Sequence, residues 1–182
     1  METTDSLLRR ALAFFLEPPL GDRRSRPTAV LRGAVGAVFL VSGAVKFLFA
    51  NQGPGRFAKL GMSAELASFV GGVEIVCGAL LVVGLLTRLA AVPLAIDMIV
   101  ALLTTKVPLL FGAGPEPVAA PPRTGFWAFA YQARLDVTML LACVYIVAVG
   151  AGLWSIDALL ARRRWEGAIF HKVRDDAPRP AE

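Results

Sequence analysis

Four stretches of the sequence are almost continuously apolar, and polar segments rich in glycine, proline or arginine separate them. An α-helix rises 1.5 Å per residue, so about 20 apolar residues cross the roughly 30 Å hydrocarbon core of a bilayer. Each stretch is close to that length. The pattern therefore predicts an all-α protein, a bundle of four transmembrane helices at residues 28–49, 68–86, 89–105 and 135–153.

The segments on either side of the bundle are more polar. Residues 1–27 contain a short amphipathic run that ends at Pro18-Pro19, which predicts a helix in the membrane interface rather than a cleavable signal peptide. Residues 156–182 read as a basic juxtamembrane helix followed by a disordered tail. The predicted domains are thus an N-terminal interfacial segment (1–27), the transmembrane domain (28–155) and a cytoplasmic tail (156–182).

Composition agrees with a membrane protein, since 56% of the 182 residues are hydrophobic and only 18% are charged. The net charge of +5 does not indicate nucleic-acid binding, because the basic residues lie beside the apolar spans. Thirteen of the 19 Lys and Arg residues fall on the side of the two termini, five on the other side and one inside a span. The positive-inside rule therefore predicts that both termini are cytoplasmic.

Few residues could hold a metal or an intrinsic redox group. Cys77 and Cys143 lie in separate spans and form no CxxC pair, and the single histidine, His171, lies in the tail. These positions exclude a dithiol motif, a haem bound by two histidines and a histidine-rich metal site within the bundle. We predict no metal and no intrinsic cofactor.

The second span carries a single charge, Glu74, and a carboxylate inside a span costs about 3 kcal/mol even on lenient scales. Gly71 and Gly78 share its helix face and allow a neighbouring helix to approach closely. Lys46 lies about one turn below the outer surface and Glu74 about two and a half turns below it. Because side chains tilt toward the N-terminus of their own helix, the two head groups should converge from antiparallel helices.

Other ionisable residues should lie near this pair. Arg134 and Asp136 enter the same layer from the fourth span, and Asp97 lies nearer the midplane, one turn after Pro93. Asp97 could be protonated, or bonded to a hydroxyl or to the carbonyl that Pro93 frees.

Two interpretations of these charges stay open. They are either a structural ion network or a polar chamber, open to the periplasm, that binds a polar head group or relays protons. In the second interpretation Glu74 and Asp97 are the catalytic candidates, and Lys46, Arg134 and Asp136 bind substrate. Nearby aromatic residues, Trp127 and Tyr131 among them, would then stack on a quinone ring, although an interfacial anchor is the default.

Several motifs occur in a familiar order: SGAVKF in the first span, GGVE in the second, GLLTRLAA at the turn and GAGLWSIDA after the fourth. Together they make the chain resemble the DoxX family of small bacterial membrane proteins. The resemblance implies a four-helix bundle with cytoplasmic termini, a multi-pass protein of the bacterial cytoplasmic (inner) membrane. Relatives of the DoxD type resemble membrane subunits of thiosulfate:quinone oxidoreductases, and others are linked to thiol and oxidative-stress complexes. Many relatives carry a histidine near the end of the third span, where this chain has Lys106-Val107-Pro108.

Three functions follow from these observations. One is a quinone-linked oxidoreductase subunit that works with a soluble redox partner. Another is a non-enzymatic scaffold, assembly factor or small-solute carrier whose buried charges are structural. A transporter is disfavoured, because four spans are few and no inverted repeat is visible. The glycine-rich faces leave a homodimer open.

Overall fold

The computed structural model describes residues 26–113, 122–152 and 154–160. These contain helices and connecting turns: α1 Arg26–Leu48, α2 Pro54–Lys59, α3 Ala64–Val83, α4 Thr87–Ala101, a π-helical segment Leu102–Lys106, α5 Val107–Leu110 and α6 Phe126–Val149. Residues 156–160 are also helical. Within these described residues, four helical stretches are long and apolar enough to cross a membrane, namely α1, α3, the continuous run Thr87–Leu110 and α6. The predicted all-α bundle with four spans is confirmed, whereas the predicted interfacial helix and most of the basic tail lie outside the described residues.

The ends of the third and fourth spans differ from those predicted. The third span does not stop near Thr105 but continues through the π-helical segment to Leu110. The fourth begins at Phe126 rather than Leu135, so the aromatic run that we assigned to a loop forms its first turns. It ends at Gly150, whose φ of 93° suits glycine and breaks the helix. The charged residue at the end of the third span and the aromatic residues before the fourth favour loops at the membrane interface, but the backbone is helical at both places.

The polar loop after α1 contains a short helix that the sequence pattern did not predict. Pro54 occupies the first turn of α2, where its missing N–H costs nothing. We refer to the end of the bundle that carries α2 and the π-helical segment as the loop end. The opposite end, where α1 begins and residues 154–160 lie, is the terminal end.

Helices α1 and α3 cross at glycines. A Cβ atom on Gly43 would lie 2.7 Å from the carbonyl oxygen of Gly71, and one on Gly78 would lie 2.9 Å from the carbonyl oxygen of Gly36. No side chain fits at such distances, so the two backbones are in direct contact along two turns. The other main pair is α4 with α6, and the core between the pairs includes Phe39 and several residues of the other spans: Leu81, Leu94, Cys143 and Ile146.

Polar contacts close the terminal end. Arg32, only 3% exposed, donates to the carbonyl of Leu81 at 2.6 Å and to the carbonyl of Trp154 at 2.6 Å. It thereby satisfies a carbonyl at the C-terminus of α3 and ties this helix to the segment after α6.

Asp157 holds the turn between α3 and α4. Its two carboxylate oxygens accept hydrogen bonds from the backbone N–H groups of Leu86, at 2.8 Å, and Thr87, at 3.0 Å. Leu86 has a positive φ of 49°, which is strained for a non-glycine residue and is fixed here by these bonds. Asp157 therefore packs against the transmembrane bundle at its terminal end.

Candidate functional site

Lys46 and Glu74 form a salt bridge between α1 and α3, and this predicted contact is confirmed. The pair lies beside the glycine crossing: a Cβ atom on Gly43 would lie 3.1 Å from the Cβ of Glu74. The Glu74 side chain is 2% exposed and that of Lys46 is 18% exposed, so the protein shields the pair from the surrounding medium. A buried charge in a span needs such a partner.

Asp97 joins the pair from α4. Its carboxyl group lies close enough to Lys46 and Glu74 to interact electrostatically with both. The sequence leaves open whether Asp97 is protonated, or bonded to a hydroxyl or to the carbonyl freed by Pro93. The structure places Asp97 beside the two charged side chains, and both Pro93 and Asp97 line the same cavity as Lys46 and Glu74. The cluster of Lys46, Glu74 and Asp97 is called the floor triad below.

Asp136 belongs to a second group nearer the loop end. Its Oδ2 atom lies 3.9 Å from the ammonium of Lys106, and Arg56 of α2 is near enough to interact electrostatically with it. Sequence reasoning missed both cations. The sequence pattern predicts that the third span ends at residue 105, just before Lys106. The π-helical segment, a feature frequent at functional sites, continues the helix and brings Lys106 to the cavity. Nothing in the loop sequence distinguished Arg56.

Among the described residues, no ion pair joins Arg134 to Lys46, Glu74 or Asp136. The Arg134 guanidinium donates to the carbonyl of Tyr131 on the same helix and lies 3.8 Å from the centre of the Tyr131 ring. The side chain is exposed and reaches only the rim of the cavity. Arg134 thus lines the same cavity as Lys46 and Glu74 while its guanidinium is held by its own helix, and its substrate-binding role stays a prediction.

The aromatic candidates lie outside the cavity. Trp127 is 73% exposed and Tyr131 is 58% exposed, and neither lines the cavity described next. Their position on the outer surface of α6, in its first two turns, fits the interfacial anchor that was the alternative to quinone stacking.

A cavity of about 650 Å³ lies between the two helix pairs at the loop end. The floor triad forms its inner polar part, and Lys106 and Asp136 lie with Arg56 toward the loop end. Its walls are mostly apolar and come from α2 with the turn that follows it, α3 and α4: Phe57, Leu60, Leu66, Phe69, Val70, Val73, Ile96, Val100 and Ala101. An apolar cavity with a few converging polar groups is the usual form of a small-molecule site.

The arrangement supplies definite chemical groups. Lys46 is a hydrogen-bond donor and a positive charge, and two neighbouring carboxyl groups can hold, give and accept protons. Two carboxyl groups beside one ammonium balance their charge when they hold one proton between them. The site can thus bind a polar, uncharged oxygen atom at its floor and exchange a proton with it.

Comparison with known proteins agrees with this architecture. The sequence model described as DoxX matches residues 28–107. The chain is 46% identical over 136 residues to an uncharacterized membrane protein of Mycobacterium tuberculosis, Rv3486, a match that covers 73% of this chain and 80% of the relative. It is 25% identical over 142 residues to a Bacillus subtilis protein named "Putative oxidoreductase CatD", with 78% of this chain and 92% of the relative covered. No solved structure matches it significantly.

Proposed function

The chain belongs to the DoxX family of membrane proteins, and we propose that it is the quinone-binding membrane subunit of an oxidoreductase. The observation that carries this proposal is the cavity with apolar walls and a proton-exchanging floor triad. The name of the Bacillus subtilis relative, an oxidoreductase, supports the same class of reaction.

The cavity suits a quinone head group in size and polarity. Its volume of about 650 Å³ falls within the range of roughly 300–1,000 Å³ that is usual for small-molecule sites. The apolar walls would contact the faces of the ring. A ring carbonyl directed at the floor would accept a hydrogen bond from Lys46, which is the cationic donor of the triad.

The two carboxyl groups serve as the proton store. A bound quinone becomes a quinol when it takes up two electrons and two protons. Glu74 and Asp97 would release their shared proton to the ring oxygen nearest the floor and regain it along the polar side of the cavity, past Asp136 and Lys106. The second proton would reach the other ring oxygen along the same polar side. Lys46 would keep the remaining negative charge paired at each stage.

The electrons need a donor outside the described residues, and a thiol or thiosulfate bound to a soluble partner is the class we propose. Two thiols would become a disulfide, or two thiosulfate ions would become tetrathionate, and two electrons would pass to the quinone. For thiosulfate both protons come from the medium through the cavity, whereas for thiols they are those the thiols release.

Purified protein in nanodiscs tests the proposal. We expect it to bind a quinone, and we expect Glu74→Gln and Asp97→Asn to abolish thiosulfate- or thiol-dependent quinone reduction in membranes. Glu65→Gln is the matched control, because Glu65 is an exposed carboxylate in the first turn of the same helix and lies outside the cavity. Full activity in Glu74→Gln, or no quinone binding by the unaltered protein, would overturn the proposal.

A non-enzymatic scaffold is the second candidate, and one observation favours it. The Lys46–Glu74 pair lies at the glycine crossing of α1 and α3, where a buried ion pair would fix the register of the two helices. In that case Glu74→Gln would lower thermal stability and expression, and no turnover would be found under any donor condition.

A further inference from the structure

The cavity has a side opening between α3 and α4. The two helices meet at the terminal end, where Leu81 and Ala91 are fully buried in the core. Farther toward the loop end, cavity-lining side chains on both helices are largely exposed: Phe69 over 67% and Val100 over 46% of their surface. A side chain that lines the cavity and is also exposed lies at an edge of the opening.

The depth of this opening places it within the membrane. Phe69 is five residues from the start of α3, or about 8 Å along the helix, and Val100 is ten residues from the end of the third span, or about 15 Å. The hydrocarbon core is roughly 30 Å thick, so these residues lie in the acyl-chain region of the leaflet at the loop end. Exposed side chains at this depth contact lipid tails rather than water.

The edges of the opening are also chemically suited to lipid contact. They consist of apolar side chains, Leu66 and Phe69 on α3 and Ile96 and Val100 on α4. The charged groups lie on the inner side of the cavity, at the floor triad, and toward the loop end. A molecule that passes through this side opening would therefore meet apolar surface first and the polar floor last.

We infer that the ligand reaches the site sideways from the bilayer, and that its apolar tail stays in the cleft between α3 and α4 while its head occupies the floor triad. This inference rests on the proposed function, since the occupant is a quinone with a prenyl tail. The cleft is then a second subsite, and it selects lipid-borne quinones over water-soluble ones of the same ring.

Binding of two ligands with the same ring, one with a prenyl tail and one without, tests the inference in nanodiscs. Val100→Trp places a bulky ring across the cleft. We expect it to raise the Kd of the tailed quinone at least tenfold and to leave that of the tailless quinone within twofold. Ile99→Trp is the matched control, because Ile99 is 43% exposed on the same helix but does not line the cavity. It should change neither Kd.

Each other outcome has a definite meaning. Equal weakening of both ligands by Val100→Trp, or unchanged binding of the tailed quinone, would overturn the inference and indicate access from the aqueous loop end. If Val100→Trp does not fold, Ile96→Trp at the same cleft gives the same comparison. Absence of binding of either quinone to the unaltered protein would overturn the proposed function itself, which separates the two failures.

Discussion

The ammonium of Lys46, on α1, is paired with the carboxylate of Glu74, on the antiparallel helix α3, at the place where these helices touch through glycine. Position and chemistry are therefore coupled. The glycines allow the helices to approach, the approach brings the charges together, and the paired charges make a buried carboxylate tolerable in a span. Asp97 then adds a second carboxyl group to the same ammonium.

Removing the shared cation should cost more stability than removing one of its two carboxyl partners. Breaking a buried ion pair costs about 3–5 kcal/mol when a charge is left uncompensated. We therefore expect Lys46→Met to lower the free energy of unfolding by about 3 kcal/mol. Glu74→Gln should cost less, because Asp97 remains beside the ammonium. Thermal and denaturant unfolding in detergent would measure both.

The exposed Lys59 of α2 supplies the control, since Lys59→Met removes a cation that lies outside the cavity. It should leave stability nearly unchanged. If Glu74→Gln proved as costly as Lys46→Met, Asp97 would not be sharing the ammonium.

Because α1 and α3 touch at glycines, replacing glycine by alanine should have different effects at two positions of α1. A Cβ on Gly43 would lie 2.7 Å from the Gly71 carbonyl, so Gly43→Ala must push α1 and α3 apart. Overpacking of this kind costs about 1–3 kcal/mol, and the shift should also weaken the Lys46–Glu74 pair. Gly33, on the same helix, has no neighbouring atom within 4 Å of the corresponding position.

Gly33→Ala should accordingly be neutral or stabilising by up to about 1 kcal/mol, through helix propensity. Unfolding midpoints and quinone binding of the two variants, measured side by side, check the difference. Equal effects of Gly43→Ala and Gly33→Ala would mean that the helices are not in backbone contact.

We call the contacts of Arg32 and Asp157 at the terminal end the structural clamp. Removing part of this clamp should lower the stability of the protein without weakening quinone binding. Asp157→Ala removes the acceptors for the N–H groups of Leu86 and Thr87, and loss of a helix-capping side chain costs about 0.5–2 kcal/mol. Because the clamp lies at the opposite end from the cavity, the Kd for a quinone should stay the same for the folded protein. Thermal unfolding and ligand titration of the same preparation measure both effects.

Arg26→Gln serves as the comparison at the same end of the bundle. Arg26 is exposed and only lies over the Trp154 ring, 5.8 Å from its centre, a contact worth about 0.5–1 kcal/mol. A change in quinone affinity in Asp157→Ala would show instead that the terminal end controls the cavity.

Long-range features of the fold were predictable where a single physical cost dominated. A carboxylate in lipid is energetically costly, so Glu74 was expected to have a partner. The tilt of side chains toward the N-terminus of their own helix indicated that this partner is Lys46. The partner of Asp136 was not predictable in this way. It depended on a π-helical segment that extends the third span and brings Lys106 to the cavity, and no period in the sequence marks that segment.

The role of Arg32, at the start of the first span, also differs from the one predicted from the sequence. Arg32 was counted only as a topology signal, yet it is 3% exposed and binds backbone carbonyls of two other segments. Two motifs that carry the family resemblance, GLLTRLAA with Thr87 and GAGLWSIDA with Asp157, thus meet beside Arg32 in a structural clamp. The order of the motifs along the chain indicated the family, whereas the contacts among the motifs are seen only in the structure.

The orientation of the bundle is the remaining prediction, and accessible cysteines can test it. Arg123 lies at the loop end and Leu159 at the terminal end, and both side chains are exposed. Two variants, Arg123→Cys and Leu159→Cys, place one cysteine at each end. In a background with Cys77 and Cys143 replaced by alanine, a membrane-impermeant maleimide should label Arg123→Cys in spheroplasts. Leu159→Cys should react only after the membrane is permeabilised. The physical reason is the excess of Lys and Arg on the terminal side, thirteen against five, which opposes translocation of that side. The reverse labelling pattern would place the loop end, and with it the polar side of the cavity, in the cytoplasm. Protons for the quinone would then come from that compartment.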